Sequence, residues 1–322
     1  MQINLQISKW ANFYYFLHNF AECEWPWPYR PAGPVSIWHE KFGEFNQEEK
    51  VALRNFKRVY RRYFLKYYLG KPFFEEKNPW LKLERKISKA DAQTLKDAFS
   101  VFEKRFDIIC QAHAKFLERW GKQISKTFGQ SRNEKIERIL DSLFGLSLSR
   151  HPFNIYLLLG RNSAADLTAK YAGGAGGERG RGLTKRNILL EFDVKCPRKK
   201  INYITGVLWH EMTHYCVENS KIYDLLKQGI RNRRGVNYAE EIIIRSLFPI
   251  GILSVKLLGA PLPTTLTPFA KSAIPEVSAA NTTKLMNLIE SYIRQDKKID
   301  NNYIKEFIKI LSETKKWATL LK

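Results

Sequence analysis

The stretch that most restricts the fold of this 322-residue chain is residues 201–220, with the sequence INYITGVLWHEMTHYCVENS. Apolar side chains at Ile204, Val207, Leu208 and Tyr215 recur at helical spacing, and residues 207–220 contain neither proline nor glycine. This pattern predicts a helix that is mostly buried inside a folded domain.

The same helix carries an H-E-x-x-H pattern formed by His210, Glu211 and His214. Residues four apart lie one above the other on one helix face, so both imidazoles can be aimed at a single point. Neutral imidazole is a good zinc ligand, and two imidazoles supply half of a tetrahedral site. Glu211 is turned by about 100° from His210, so it can stand beside such a metal and act as a proton acceptor. The bland alternative is a buried helix whose two histidines are satisfied by hydrogen bonds in the core.

In these five residues the chain resembles the active-site helix of the zincin metallopeptidases. The resemblance implies that His210 and His214 bind zinc, that Glu211 is the general base, and that a third protein ligand follows later in the chain. It also implies hydrolysis of peptide bonds in a protein or peptide substrate.

Three acidic residues compete for the place of the third ligand. Glu240 and Glu241 follow His214 by 26 and 27 residues, and this distance resembles the gluzincin subgroup, whose third ligand is a glutamate on a later helix. Glu218 lies four residues after His214, where SprT-like proteases carry their third histidine. Those proteases cut DNA-bound proteins, and the present chain has glutamate instead of histidine at that position.

A helical projection separates the two later glutamates. Glu240 falls on the apolar side of the predicted helix, with Ile243, Ile244 and Leu247. Glu241 falls on the more polar side, with Asn237 and Arg245. Because a carboxylate on an apolar face is costly unless it is paired or bound to a metal, we predict Glu240 as the third ligand and keep Glu241 as the reserve. The alternative is that both glutamates belong to a solvated helix start.

A zincin site also needs a hydrogen-bond donor for the oxyanion that forms during hydrolysis. Tyr171, Tyr238 and Arg245 have suitable side chains, and the sequence does not choose between them.

The formal net charge of +22 predicts attraction to anionic partners such as nucleic acid, acidic protein or anionic membrane. Dense basic clusters occur at residues 57–62, 179–200 and 231–234. A solvated basic surface and a dedicated nucleic-acid groove both remain compatible with this charge. We therefore expect non-specific nucleic-acid binding, and hold open a basic nucleic-acid-binding or interaction protein with an inactive zincin fold.

The location of the protein is predicted from three features. The sequence contains no apolar run of about 18 residues, so no transmembrane helix is predicted. Residues 1–16 do not have the pattern of a secretory signal. The four cysteines are scattered without a C-x-x-C pair, which is typical of reduced thiols. A cytoplasmic protein is the default expectation, although a delivered effector or toxin would have the same composition.

The first 150 residues are predicted to be a helical, aromatic-rich region. The expected helices cover roughly the first twenty residues and then residues 46–69, about 90–123 and 134–147. Proline-rich residues 25–34 between them predict irregular chain. The many aromatic residues before residue 45 are read as a strap packed by its rings, and the alternative is a stacking platform for bases or a peptide groove.

The pattern changes after residue 151. Short apolar runs at 153–159 and 187–194 predict strands, and the glycine-rich segment 171–182 predicts a mobile loop, or alternatively a hairpin connection. The strand before the active-site helix lies at the sheet edge in zincins, so by resemblance residues 187–194 would be an edge strand that pairs with substrate. Helices are expected over 236–258, 279–295 and 301–321.

Taken together, these patterns predict an α+β protein that is predominantly α. A helical N-terminal bundle, residues 1–150, would precede a zincin-like part, residues 151–322, with a small sheet and the active-site helix. The function expected from the motif is zinc-dependent peptide hydrolysis.

Overall fold

The structure is a computed structural model of the chain. It describes residues 2–21, 23, 33–63, 69–150, 152–160, 172–175, 187–192, 194, 196, 200–249, 251–260, 277–314, 317 and 320, with the backbone alone at 33, 172–175 and 234. Residues 25–32 of the predicted irregular segment 25–34 lie outside these residues, and residues 33 and 34 begin a helix instead. Most of the glycine-rich segment and most of the basic cluster 179–200 also lie outside the described residues.

The protein is predominantly α-helical with one small sheet, and this confirms the predicted fold class. In chain order the helices are α1 (Lys9–Phe20), α2 (Gly33–Phe42), α3 (Gln47–Tyr63), α4 (Lys71–Glu75), α5 (Pro79–Leu83), α6 (Lys89–Phe128), α7 (Ser131–Phe144), α8 (Ile201–Asn219), α9 (Ile222–Gly229), α10 (Arg233–Leu247), α11 (Ile252–Leu258), α12 (Ala279–Arg294) and α13 (Asn301–Ser312). None of the helices within the described ranges is long and apolar enough to cross a membrane.

The sheet contains β1 (Ile3–Gln6), β2 (Phe153–Leu159), β3 (Ala172–Ala175) and β4 (Asn187–Phe192), in the spatial order β1-β2-β4-β3. β4 runs parallel to β2 and antiparallel to β3. The prediction of strands at 153–159 and near 187–194 is confirmed, but the prediction that the latter is an edge strand is wrong. Part of the glycine-rich segment forms β3 and takes the place beside β4, so both sides of β4 are already paired. A substrate therefore cannot add to β4 as a new neighbouring strand.

A chain of side-chain amides crosses three of these strands. Asn4 of β1 donates to Asn154 of β2 at 3.2 Å, and Asn154 donates to Asn187 of β4 at 2.9 Å. Asn187 in turn donates to the carboxylate of Glu75, which ends α4, at 3.3 Å. Asn154 and Asn187 are direct partners in the register of the two parallel strands. We call this series of hydrogen-bonded side chains the amide ladder.

Contacts between Cα atoms divide the chain into two compact units. One, the sheet unit, comprises 4–123 and 154–198; the other, the site unit, comprises 1–3, 124–153 and 199–322. Each unit is built from separate stretches of chain, so this division does not coincide with the predicted boundary at residue 150. The reason is that β2 and β4 group with the N-terminal helices rather than with the helices that follow them.

Within the sheet unit, aromatic rings from α1 and α6 form much of the core. Phe13 stacks on Phe106 with ring centroids 4.3 Å apart, and Phe73 stacks on Phe99 at 4.9 Å. Asn12 of α1 is buried and exchanges two hydrogen bonds with the backbone of β2, to the Leu157 carbonyl at 3.1 Å and from the Leu159 amide at 2.8 Å. The described aromatic residues of α1 thus pack the core, as the strap interpretation expects, whereas Trp25 and Trp27 lie outside the described residues.

Several predicted boundaries shift. The first twenty residues are not one helix, because residues 3–6 form β1 before α1 begins. The predicted helix over 236–258 is two helices, α10 and α11, separated around Phe248–Gly251. The last helix, predicted to reach residue 321, ends at Ser312.

Candidate metal centre

The site unit is arranged around α8, which packs against α7, α9, α10 and α11. Most of its residues from Ile204 to Val217 are buried, because it has neighbours on several sides. This explains why a helix that carries two histidines and a glutamate is otherwise apolar around most of its circumference.

Buried hydrogen bonds fix the position of α8 at Trp209, the residue before His210. The Trp209 indole N–H donates to the Oδ1 of Asn133 at 2.8 Å, and the Asn133 Nδ2 donates to the Thr127 carbonyl at 2.6 Å. Trp209 is fully buried and stacks on Phe128. The residue immediately before His210 is therefore fixed both by ring packing and by a polar contact.

We expect Asn133→Ala to lower the free energy of unfolding by about 1–3 kcal/mol, because the buried Trp209 N–H loses its acceptor. Asn219→Ala, on the same helix as Trp209, is the matched control, since it removes an amide that donates to the Tyr215 carbonyl at an exposed position. Urea denaturation followed by circular dichroism measures both. Equal losses in the two variants would mean that the Trp209 contact contributes nothing specific.

Two histidines of α8 each direct their Nδ1 atom to a buried acceptor. The Nδ1 of His210 lies 3.1 Å from the carbonyl oxygen of Phe248, just after α10. The Nδ1 of His214 lies 3.0 Å from the Oε1 of Glu240 on α10. A carbonyl oxygen and a carboxylate accept hydrogen bonds, so we assign the hydrogen of each ring to Nδ1. In the neutral form of each ring the Nε2 lone pair is then available to a metal.

Both Nε2 atoms face the carboxylate of Glu241. The distance is 3.5 Å from His210 Nε2 to Glu241 Oε1 and 3.3 Å from His214 Nε2 to Glu241 Oε2. His210, His214 and Glu241 are also the group of potential ligands, among the residues that the structure describes, whose ligand atoms all lie within 4.8 Å of one another.

Glu240 and Glu241, which are adjacent on α10, therefore contact the two different nitrogen atoms of the His214 ring. Glu240 is fully buried on its Nδ1 side. Glu241, with 13% of its side chain exposed, lies on its Nε2 side. This arrangement favours the reserve candidate Glu241 over Glu240 as a third ligand, because the Glu241 carboxylate faces both Nε2 atoms. Burial on the apolar side of α10 marked Glu240 correctly as a carboxylate with a partner, but that partner is an imidazole N–H.

The expectation that Glu241 lies on a solvated side of α10 does not hold. The polar side of α10 faces the histidines of α8, and Glu241 accepts a hydrogen bond from the Nε of Arg245 at 2.6 Å. Only 6% of the Arg245 side chain is exposed. Arg245, one of the three candidates for the oxyanion donor, is thus bound to Glu241, the reserve candidate for the third ligand.

The electrostatics of this group favour a cation. Burial lowers the pKa of His210 to about 4, so this imidazole is neutral at pH 7. Burial raises the pKa of the Glu241 carboxyl, but the two imidazoles and Arg245 outweigh it, so that its pKa lies well below the ordinary value. A neutral His210 with its hydrogen on Nδ1 can offer its Nε2 lone pair to a cation that the Glu241 carboxylate also contacts.

The residues fit zinc in number and kind. Two imidazoles and one carboxylate are the three protein ligands of one common type of catalytic zinc site, which keeps a fourth position open. Bonds of about 2.0–2.1 Å in a tetrahedron place neighbouring ligand atoms about 3.3–3.4 Å apart, close to the measured 3.3 and 3.5 Å separations. The hydrogen bonds at both Nδ1 atoms supply the orienting contacts that zinc-binding histidines usually have.

The other predicted site residues lie outside the group of three potential ligands. Glu211 is 7% exposed on α8 between the two histidines in sequence. Glu218 is half-buried near the end of α8 and does not belong to the three-residue group, so the placement favours Glu241 over Glu218. Tyr238 is half-buried on α10, and Tyr171 lies outside the described residues.

Two contributors were missed by the sequence reasoning. The Phe248 carbonyl that holds His210 has no sequence signal, because any residue has a carbonyl. The pairing of Arg245 with Glu241 had a signal in the four-residue spacing of opposite charges on one helix.

No family model, no curated protein and no solved structure matches this chain. The case for the site consequently depends on its residues and their geometry.

Proposed function

We propose that this protein is a zinc-dependent peptidase, with His210, His214 and Glu241 as the metal ligands. The observation that carries the proposal is the convergence of two Nε2 atoms on one carboxylate, while both Nδ1 atoms are held by buried acceptors. A merely structural pair of core histidines has no need to direct both Nε2 atoms towards one carboxylate.

Each side chain has a defined task in this proposal. Zinc, when bound, would polarise the scissile carbonyl and lower the pKa of a water towards about 7. Glu211 accepts the proton of the attacking water at its carboxylate and delivers it to the leaving amine. Glu240 holds the His214 ring in the tautomer whose Nε2 can bind a metal, and the Phe248 carbonyl does the same for His210. Arg245 fixes the carboxylate of Glu241 from the side of Oε1.

The first test is metal content. We expect about one zinc per chain after purification in zinc-supplemented buffer, loss of that zinc on dialysis against a chelator, and none in His210→Ala. Inductively coupled plasma mass spectrometry measures it, and hydrolysis of unfolded casein by the same samples should follow the zinc content.

His39→Ala is a suitable control for this test, because His39 is exposed on α2 and the variant should keep its zinc. Metal-free wild-type protein would refute the proposal and would leave the two histidines and two glutamates as a buried polar network.

A further inference from the structure

The exposed face of α3 is strongly basic. Along its 17 residues, six basic side chains are exposed or half-exposed, namely Lys50, Arg54, Lys57, Arg58, Arg61 and Arg62. The helix has two acidic residues, and one of them, Glu49, is buried, caps the helix with Asn46 and pairs with Arg105. We call the six basic residues the α3 stripe.

The stripe places like charges next to one another. Four pairs are separated by four residues, Lys50 with Arg54, Arg54 with Arg58, Lys57 with Arg61, and Arg58 with Arg62. Pairs of like charge at this spacing destabilise a helix, so an anionic ligand that lies along the stripe would relieve a repulsion that is already present.

Half of the six basic side chains of the stripe form no ion pair within the described part of the chain. Arg62 binds Asp91 at 2.6 Å but remains 55% exposed. Lys50, Arg54 and Arg58 form no ion pair with any carboxylate in the described part of the chain. Glu48 and Asp97 line the groove beside the stripe, together with Arg58.

The other side of α3 helps to identify the partner. Most of its apolar residues are buried in the sheet unit, namely Ala52, Leu53, Phe56, Val59 and Tyr60. A helix that lies on a membrane inserts an apolar face into the lipid boundary, whereas the exposed side of α3 offers only one large aliphatic side chain, Val51. Its exposed side provides charge along about 18 Å, at 1.5 Å per residue from Lys50 to Arg62.

We propose that the α3 stripe binds the phosphate backbone of nucleic acid without reading its sequence. Duplex DNA carries one negative charge per about 1.7 Å of its axis, so a segment as long as the stripe presents about ten charges. Phosphate contacts of this kind position a protein on nucleic acid but carry no direct sequence information. This inference concerns the sheet unit alone and does not depend on the proposed peptidase activity.

The test is the salt dependence of binding to a labelled 20-base-pair duplex, measured by fluorescence anisotropy between 50 and 200 mM salt. The test variant is Lys50→Gln, Arg54→Gln and Arg58→Gln together. Three lost phosphate contacts should reduce the salt slope by about 2.7. Over this salt range, wild-type affinity should therefore fall about 40-fold more than that of the variant.

The matched control is Lys135→Gln, Lys297→Gln and Lys305→Gln, which removes the same charge from three other exposed sites. It should keep the wild-type slope. Equal changes in the two triple variants would overturn the proposal in favour of diffuse attraction by net charge. The proposal would also be wrong if the α3 variant lost binding to phosphatidylserine vesicles while its duplex binding stayed at the wild-type level.

Discussion

Glu211→Gln is expected to reduce peptide hydrolysis by at least about 10²-fold while the protein keeps its fold and its zinc. Glutamine has nearly the same size as glutamate and retains an oxygen that accepts hydrogen bonds, but it cannot take up a proton as a base. General acid–base catalysis typically contributes 10²–10⁴-fold to a rate, so the loss should appear in turnover rather than in metal content. Steady-state hydrolysis of a fluorogenic peptide, together with zinc analysis of the same sample, measures both quantities.

Glu218→Gln is the matched control for this experiment, since it makes the same chemical change on the same helix at a half-buried position outside the three-residue group. It should retain near wild-type turnover. A Glu211→Gln protein that hydrolyses peptide at the wild-type rate would remove Glu211 from its assigned role. A Glu211→Gln protein that loses zinc would instead show that this carboxylate supports the metal.

The second large effect is expected in zinc affinity when the two glutamates of α10 are compared. Glu241→Gln should weaken zinc binding by more than about 100-fold, because it removes the charged ligand that faces both Nε2 atoms. Glu240→Gln should weaken it less, within the range of about 10–100-fold that is typical when a contact behind a metal ligand is changed. Its amide oxygen can still accept the hydrogen of His214 Nδ1, although without the negative charge.

Competition with a chromophoric chelator measures the affinity of each variant. Glu218→Gln again serves as the control and should bind zinc like the wild-type protein. If Glu240→Gln weakened zinc binding more than Glu241→Gln, the metal ligand would be Glu240, as the helical projection suggested. Loss of zinc in Glu218→Gln alone would return the third ligand to α8.

The sequence was sufficient for the general fold and for placing His210 and His214 together in the candidate site. Helical periodicity and helix-stop signals predicted the main helices, and short apolar runs predicted β2 and β4. The four-residue spacing of His210 and His214 predicted their shared face, because that follows from the geometry of any helix. The distance to the later glutamates narrowed the third ligand to two neighbouring residues.

The choice between those neighbours could not be made from the sequence, for a physical reason. The projection assumed that the polar side of α10 faces water, as is usual for a surface helix. In the structure that side packs against α8, where Glu241 is compensated by Arg245 and by the two imidazoles. The orientation of one helix against another depends on tertiary packing, which a single-helix pattern does not contain. The sheet order was missed for a similar reason, because the pairing of glycine-rich residues 172–175 with β4 is a long-range contact without an apolar signal.

The amide ladder helps to determine the register of β2 against β4. β2 and β4 are buried along nearly their whole length, so sliding one past the other by one residue would still bury mostly apolar side chains on both faces. An alternation of apolar and polar residues normally excludes such slips, but these two strands have almost no such alternation. Asn154 and Asn187 supply what alternation cannot, because their amides meet in a single alignment of the two strands. In a slipped sheet the two amides would lose their mutual hydrogen bond. This single polar pair therefore favours the native alignment over other alignments that bury similar apolar surface.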